Sequence, residues 1–171
     1  MMRIIETERL ILRKFTLADA AAAFEINSDP EVLKYIPSEP CKSIEETREL
    51  IERTTLKDYE IHGYGRHAIE LKSSGKLIGF TGLKLEQDID GVDLGYRLNR
   101  NYWGNGYGYE AAAPFIDVAF EEMKLPILYG SAMKENQASI KILQKLGMTY
   151  RRQELFMGET FDVLAIDNPN I

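Results

Sequence analysis

The chain has 171 residues, 44% apolar and 28% charged, which allows one domain with a sizeable core and excludes a disordered polymer. A formal net charge of −6, with no long Lys/Arg tract, disfavours a nucleic-acid backbone as partner. It suits a cationic partner, unless it serves only to keep the protein in solution.

The opening, Met1 to Phe15, mixes charges among its apolar residues, unlike a signal peptide or a membrane span, so a cytoplasmic protein with no membrane partner is expected. Glu8 to Phe15 alternates like a strand, and Thr16 with Asp19 then forms a capping-box pattern before a helix through Ile26. Asp29 and Pro30 start a short helical turn, Val32 to Ile36, ended by the Pro37 to Pro40 segment. Cys41 is the sole cysteine and cannot form an internal disulfide, and Ser43 with Glu46 opens a helix through about Tyr59. His62 and His67 give no metal-ligand spacing, so no metal is expected and these residues and Cys41 are read as structural or surface positions. Arg66–Leu71, Lys76–Leu85 and Gly91–Leu98 are three extended runs joined by turn compositions, an antiparallel meander.

Asn101 to Phe115, NYWGNGYGYEAAAPF, then places glycines at 104, 106 and 108 ahead of a helical apolar stripe that contains Pro114. That proline predicts a kink after the first turn or a start later than Tyr107. Pro126 to Met133 returns as a strand. Asn136 to Gly147 is a helix with Asn136 at its N-cap, and two strands flank Met157 to Thr160. The sum is one α/β domain over residues 1–171, with a mixed, mainly antiparallel sheet of about seven strands flanked by helices.

Three alternating glycines before a helix would let a bulky anion approach unpaired N–H groups at the positive end of the helix dipole. The spacing is neither the dinucleotide fingerprint, since Tyr109 stands where the third glycine would be, nor a nucleoside-triphosphate loop. A pyrophosphate cradle of another kind remains, beside the plainer reading of a tight strand-to-helix connection.

The order LGYRL, YWGNGYGYEA, ILYGSAM and a helix opening on Asn136 resembles the core of the GNAT acyl-CoA N-acyltransferases. TERLILRKFTLADAAAAFEINSDPEVLKYI, LIGFTGL and NQASIKILQKLGM resemble blocks of the RimJ/RimL-like subgroup, which acetylates N-terminal amines of ribosomal proteins, and together the blocks span nearly the whole chain. The resemblance implies the GNAT fold, acetyl-CoA as cosubstrate, and direct transfer of acetyl to a primary amine of a protein N-terminus or a small molecule. Small-amine acetylation (polyamine, amino acid or antibiotic) and a non-catalytic acyl-CoA-binding sensor are the alternatives, and a homodimer is left open. The family's Arg/Gln-x-x-Gly-x-Gly/Ala motif falls on Trp103, Gly106 and Gly108, so Trp103 replaces a basic or amide residue.

On this resemblance Gly104, Asn105, Gly106, Tyr107 and Gly108 would hold the coenzyme pyrophosphate through main-chain N–H groups, Trp103 and Tyr109 count among the coenzyme-binding positions, and the Leu98 N–H would face the thioester carbonyl. Asn136 is either a coenzyme contact or only the helix cap. The tyrosine with which many relatives protonate the leaving thiolate is here Leu143; Ser139 is its substitute, or a first-turn serine with no chemistry. Asp93 is the candidate base, with Glu86, Glu154, Glu159 and Asp162 as rivals, or an exposed strand residue alternating with core neighbours.

Overall fold

The computed structural model describes residues 2–171. β1 (Ile5–Glu6) and β2 (Leu10–Lys14) form a hairpin, followed by a 3-10 turn and α1 (Ala20–Asn27). The Asp19 carboxylate reaches back to the Thr16 N–H at 2.8 Å, as the capping pattern predicts, and also holds the Arg13 guanidinium at 2.9 Å. Residues 30–35 form hydrogen-bonded turns rather than the expected helical turn. α2 (Ile44–Ile51) starts on Ser43, whose hydroxyl accepts the Glu46 N–H at 3.0 Å; it runs through a π-helical stretch, Glu52–Leu56, into α3 (Lys57–His62).

The meander is present as β3 (Arg66–Leu71), β4 (Leu77–Glu86) and β5 (Gly91–Leu98). α4 (Tyr107–Ala112) breaks at Ala113, and α5 (Pro114–Asp117) continues it with Pro114 in its first turn, where a missing N–H is harmless; the helix is kinked rather than delayed. β6 (Ile127–Met133), α6 (Gln137–Lys145), β7 (Thr149–Phe156) and β8 (Glu159–Asp167) complete the chain. Met157 and Gly158, both at positive φ, make the two-residue turn of the last hairpin.

Among the described residues one sheet holds eight strands in the order β1-β2-β3-β4-β5-β6-β8-β7, every pairing antiparallel except β5 with β6. The strand beyond the seven expected is the two-residue β1, too short for alternation to reveal. Helices cover both faces. The larger apolar cluster joins β-sheet residues such as Leu10, Leu83 and Leu94 to Phe115, Ile140 and Leu143 of α5 and α6; a smaller one joins Phe15 and Ala68 to α1 and α2. No helix among the described residues is long and apolar enough to cross a membrane.

Cys41 and His67 are buried and His62 is exposed, in line with structural and surface roles. The His67 ring meets Phe115 edge-on at 5.0 Å, with its nitrogens 3.3 Å from the carbonyls of Gly65 and Arg3. Burial drives its pKa below the ordinary 6.5, outweighing the two carbonyls that favour the imidazolium. The folded-state pKa is thus the lower one, and the unfolded chain takes up the proton first. The contribution of neutral His67 is present above the ordinary value of 6.5 and is lost as pH falls below it towards the folded-state pKa. The urea midpoint of the wild type is therefore expected to drop over this range, and that of His67→Gln to drop less; parallel curves would contradict the assignment.

Candidate active site

β5 pairs with β4 along its whole length, from Gly91 against Glu86 to Leu98 against Gly79, yet meets β6 at one bridge, Asp93 with Tyr129. Beyond that bridge the two parallel strands part. The Asn99 N–H bonds the Ile78 carbonyl at 2.8 Å, so strand alternation turns the N–H and C=O groups of Leu98 and Tyr96 away from β4 and into the fork. A cleft of about 570 Å³ opens there, bordered by Tyr96, Leu98, the glycine segment, the start of α6 and the turns of residues 31–36.

The three glycines divide into two kinds. Gly104 and Gly106 have φ of +76° and +81°, the left-handed region, and a Cβ on Gly104 would meet nothing within 4 Å, so its requirement is conformational rather than steric. Gly108 is helical, and a Cβ there would lie 3.0 Å from the Tyr96 ring and 3.3 Å from Ile142, so its smallness lets α4 close on β5 and α6. Gly106 caps α4, and Glu110 in the first turns of that helix ties it to the β1–β2 loop. Its carboxylate accepts from the Thr7 hydroxyl at 2.7 Å, the Arg9 N–H at 2.8 Å and the Arg9 guanidinium at 2.7 Å. Burial raises the Glu110 pKa, but those donors together outweigh it and hold the carboxyl below its ordinary value.

Trp103 donates its indole N–H to the Leu98 carbonyl at 3.1 Å, so the residue in the basic position of the family motif fastens the loop to the end of β5. Tyr107 borders the cleft and carries the Arg9 guanidinium 4.3 Å above its ring. Asn105 and Tyr109 do not border it. The Asn105 amide braces the turn through the carbonyls of Tyr102 and Trp103, and Tyr109 lies beneath Lys145 at 4.1 Å.

Asn136 and Ser139 both line the cleft, at the start of α6. The Asn136 carbonyl oxygen accepts the Ser139 N–H at 3.3 Å, the cap its position predicts, while its amide donates to Ser139 Oγ at 3.2 Å. Leu143 is a core residue against Gly130 and Met148, far from any proton-transfer role. A tyrosine nevertheless reaches the serine from another element: Tyr96 Oη lies 3.1 Å from Ser139 Oγ. Burial raises the Tyr96 pKa, with the Ser139 hydrogen bond opposing it, so the phenol keeps its proton. Sequence reasoning missed Tyr96, whose one available signal was its place on β5 two residues before Leu98.

Asp93 is buried, not exposed, and sits at the fork paired with Arg66 at 2.8 Å; its second oxygen, Oδ1, has no partner among the described residues. It borders neither cleft. A second groove, of about 400 Å³, lies between β4 and the helices α1 to α3; Glu86 and Asp58 line it, and Arg97 borders both grooves. Glu154, Glu159 and Asp162 stand on the β7–β8 hairpin and line neither groove.

A sheet forked between its central strands, with a glycine-started helix at the gap, fits the acyl-CoA N-acyltransferases that the sequence blocks resemble. Residues 9–149 match the acetyltransferase (GNAT) domain, and the chain belongs to this family of N-acetyltransferases. It is 35% identical over 168 residues to the uncharacterized N-acetyltransferase p20 of Bacillus licheniformis, covering 95% of this chain and 93% of that protein. A GNAT-family acetyltransferase structure from Bacillus anthracis superposes with a TM-score of 0.81 at 27% identity, covering 97% of this chain and 99% of the other. RimL, a ribosomal L7/L12 alpha-N-protein acetyltransferase solved in complex with coenzyme A, shares the fold at a TM-score of 0.82 and 18% identity, over 96% of this chain and 98% of its own.

Gly104→Ala has room for its methyl group but not for its backbone angle. It is expected to cost about 1 kcal/mol of stability, measured by denaturant unfolding, and full retention would show that the loop relaxes at no cost.

Proposed function

We propose that the chain, acting as one acyltransferase domain over residues 1–171, transfers acetyl from acetyl-CoA directly to a primary amine, without an acyl-enzyme. The carrying observation is the fork: the outward N–H groups of Tyr96 and Leu98 end beside the left-handed Gly104–Gly106 turn. That arrangement fits a pantetheine arm laid along β5 as an added strand and a pyrophosphate on the main-chain N–H groups of Gly104 to Gly108. In this reading the Leu98 N–H polarises the thioester carbonyl, Tyr107 and Asn136 flank the donor, Trp103 holds the loop, and Asn105 and Tyr109 support it from behind.

Ser139 is the proton donor to the departing thiolate. Its Oγ accepts from the Asn136 amide, and when it also accepts from Tyr96 both lone pairs are occupied and its own proton is free to point into the cleft. Tyr96 then replenishes that proton. On the acceptor side Asp93 keeps an unpartnered Oδ1, but that atom is shut off from solvent and borders neither groove, so in this reading the amine's proton passes to Glu86, the rival carboxylate that lines the second groove. The demand is modest for a chain-terminal α-amine, whose reference pKa is about 7.7–8.0 against roughly 10.4 for a lysine. The likeness to RimL brings a protein N-terminus into consideration as acceptor, and a small amine is the other class.

Release of free coenzyme A across a panel of amines tests the activity; titration with acetyl-CoA tests the donor site. Ser139→Ala is expected to lower turnover roughly 10²-fold with little change in the Michaelis constant for acetyl-CoA, and Tyr96→Phe to give a smaller loss. Wild-type turnover in Ser139→Ala would reduce the serine to a helix residue. Gly106→Ala should raise that Michaelis constant with turnover nearly kept, whereas Gly108→Val, which presses on Tyr96, should impair both. Unchanged constants in both variants would remove the glycine segment from donor binding.

A further inference from the structure

The second groove is walled by Phe15, α1, α2, α3 and β4, and Arg97 forms the partition between it and the donor cleft. Its charges are not evenly matched. Arg66 is neutralised by Asp93 at 2.8 Å and Lys84 by Glu86 at 3.5 Å. Arg97 has no carboxylate partner among the described residues; its Nη1 donates to the Asn27 side-chain carbonyl at 2.7 Å, and its guanidinium lies 5.0 Å from the Phe80 ring centroid.

The other two nitrogens of that guanidinium are unpaired among the described residues. Nε is shut off from solvent with no partner, and Nη2 makes no hydrogen bond among the described residues. Nη2 is therefore the donor left for an anion in the groove, through a charge-assisted hydrogen bond. Burial, reinforced by repulsion from Arg66, draws the Arg97 pKa down to about 10, which still leaves the side chain charged at neutral pH. An arginine kept charged and half-satisfied in a partly buried place is costly unless an anion completes it. Asp58, which also lines the groove, is a carboxylate of α3 and makes no ion pair among the described residues.

We propose that the acceptor is a primary amine bearing a carboxylate a few bonds from its nitrogen, and that Arg97 binds this carboxylate through Nη2, setting the amine against the donor cleft. This rests on the acetyltransferase reading above and narrows its substrate class. Arg97 follows Tyr96 and precedes Leu98, so the anion would be gripped one residue from the main-chain N–H assigned to the thioester. The net charge of −6 for the whole chain, which suits a cationic partner, does not describe this groove.

The test compares free α-amino acids with their amides, peptides opening on Asp or Glu with neutral peptides, and spermidine, by coenzyme A release from the full chain. The amide differs only by the missing carboxylate, and its more weakly basic amine would favour it on nucleophile supply alone. The acid is expected to exceed its amide by about 10- to 100-fold in kcat/KM, the range of a hydrogen-bonded charge. Arg97→Gln should bring that ratio towards one while acetyl-CoA affinity and melting temperature are kept. The free acids and the acidic peptides separate a small molecule from a chain terminus as the source of the carboxylate.

Equal rates for acid and amide, a preference for spermidine, no transfer to any carboxylated amine, or an unchanged ratio in Arg97→Gln would each overturn the assignment. The wild-type ratio decides the matter even if Arg97→Gln fails to fold. Failure of the acetyltransferase reading looks different: acetyl-CoA itself would then give no heat of binding and no acceptor would release coenzyme A.

Discussion

The site depends on one interrupted strand pairing. β5 and β6 pair at one bridge, where Asp93 faces Tyr129; from there the sheet opens, and the main-chain N–H groups of Tyr96 and Leu98 are left for something other than β6. Continued pairing would have consumed those N–H groups and closed the space in front of α4. The parting is held by packing. α6 lies over β6 so closely that a Cβ on Gly130 would stand 2.6 Å from Leu143, which fixes Asn136 and Ser139 at the mouth of the fork. On the other side Glu110 binds α4 to the β1–β2 loop through three hydrogen bonds, so the helix start cannot swing away from the gap.

The pleat of β5 also sends different side chains towards the two grooves. Successive side chains leave opposite faces of a strand, and Tyr96 meets the serine of the donor side while Arg97 stands over Phe80 towards the second groove. In the proposed reaction the two halves of the transfer would thereby lie along one strand. The same alternation puts Asp93 on the ion pair with Arg66; a Cβ on Gly95 would come within 2.8 Å of the Arg66 guanidinium and would make it shift.

Much of this was legible along the chain. The period-2 runs located β3, β4 and β5 to within a residue, the capping residues Ser43 and Asn136 marked true helix starts, and Pro114 announced the break at Ala113. The glycine spacing pointed to the loop, and eight of the candidate residues (Leu98, Trp103, Gly104, Gly106, Tyr107, Gly108, Asn136 and Ser139) meet in the cleft. Asn105 and Tyr109 shared the segment but turn elsewhere. Asp93 belonged to an alternation that also fits an exposed strand residue, and only its neighbours show it buried against Arg66.

The sequence by itself determined most of the strand and helix stretches, where glycines gather ahead of a helix, and the order of blocks that marks the family, because propensity, period and capping are local properties. Only the tertiary structure decided that β5 and β6 part after one bridge, that Tyr96 rather than position 143 reaches Ser139, and that Arg97 keeps an unpaired edge. Those facts concern residues tens of positions apart, and what unites them is distance and exclusion of water across a packed sheet, which no local pattern encodes.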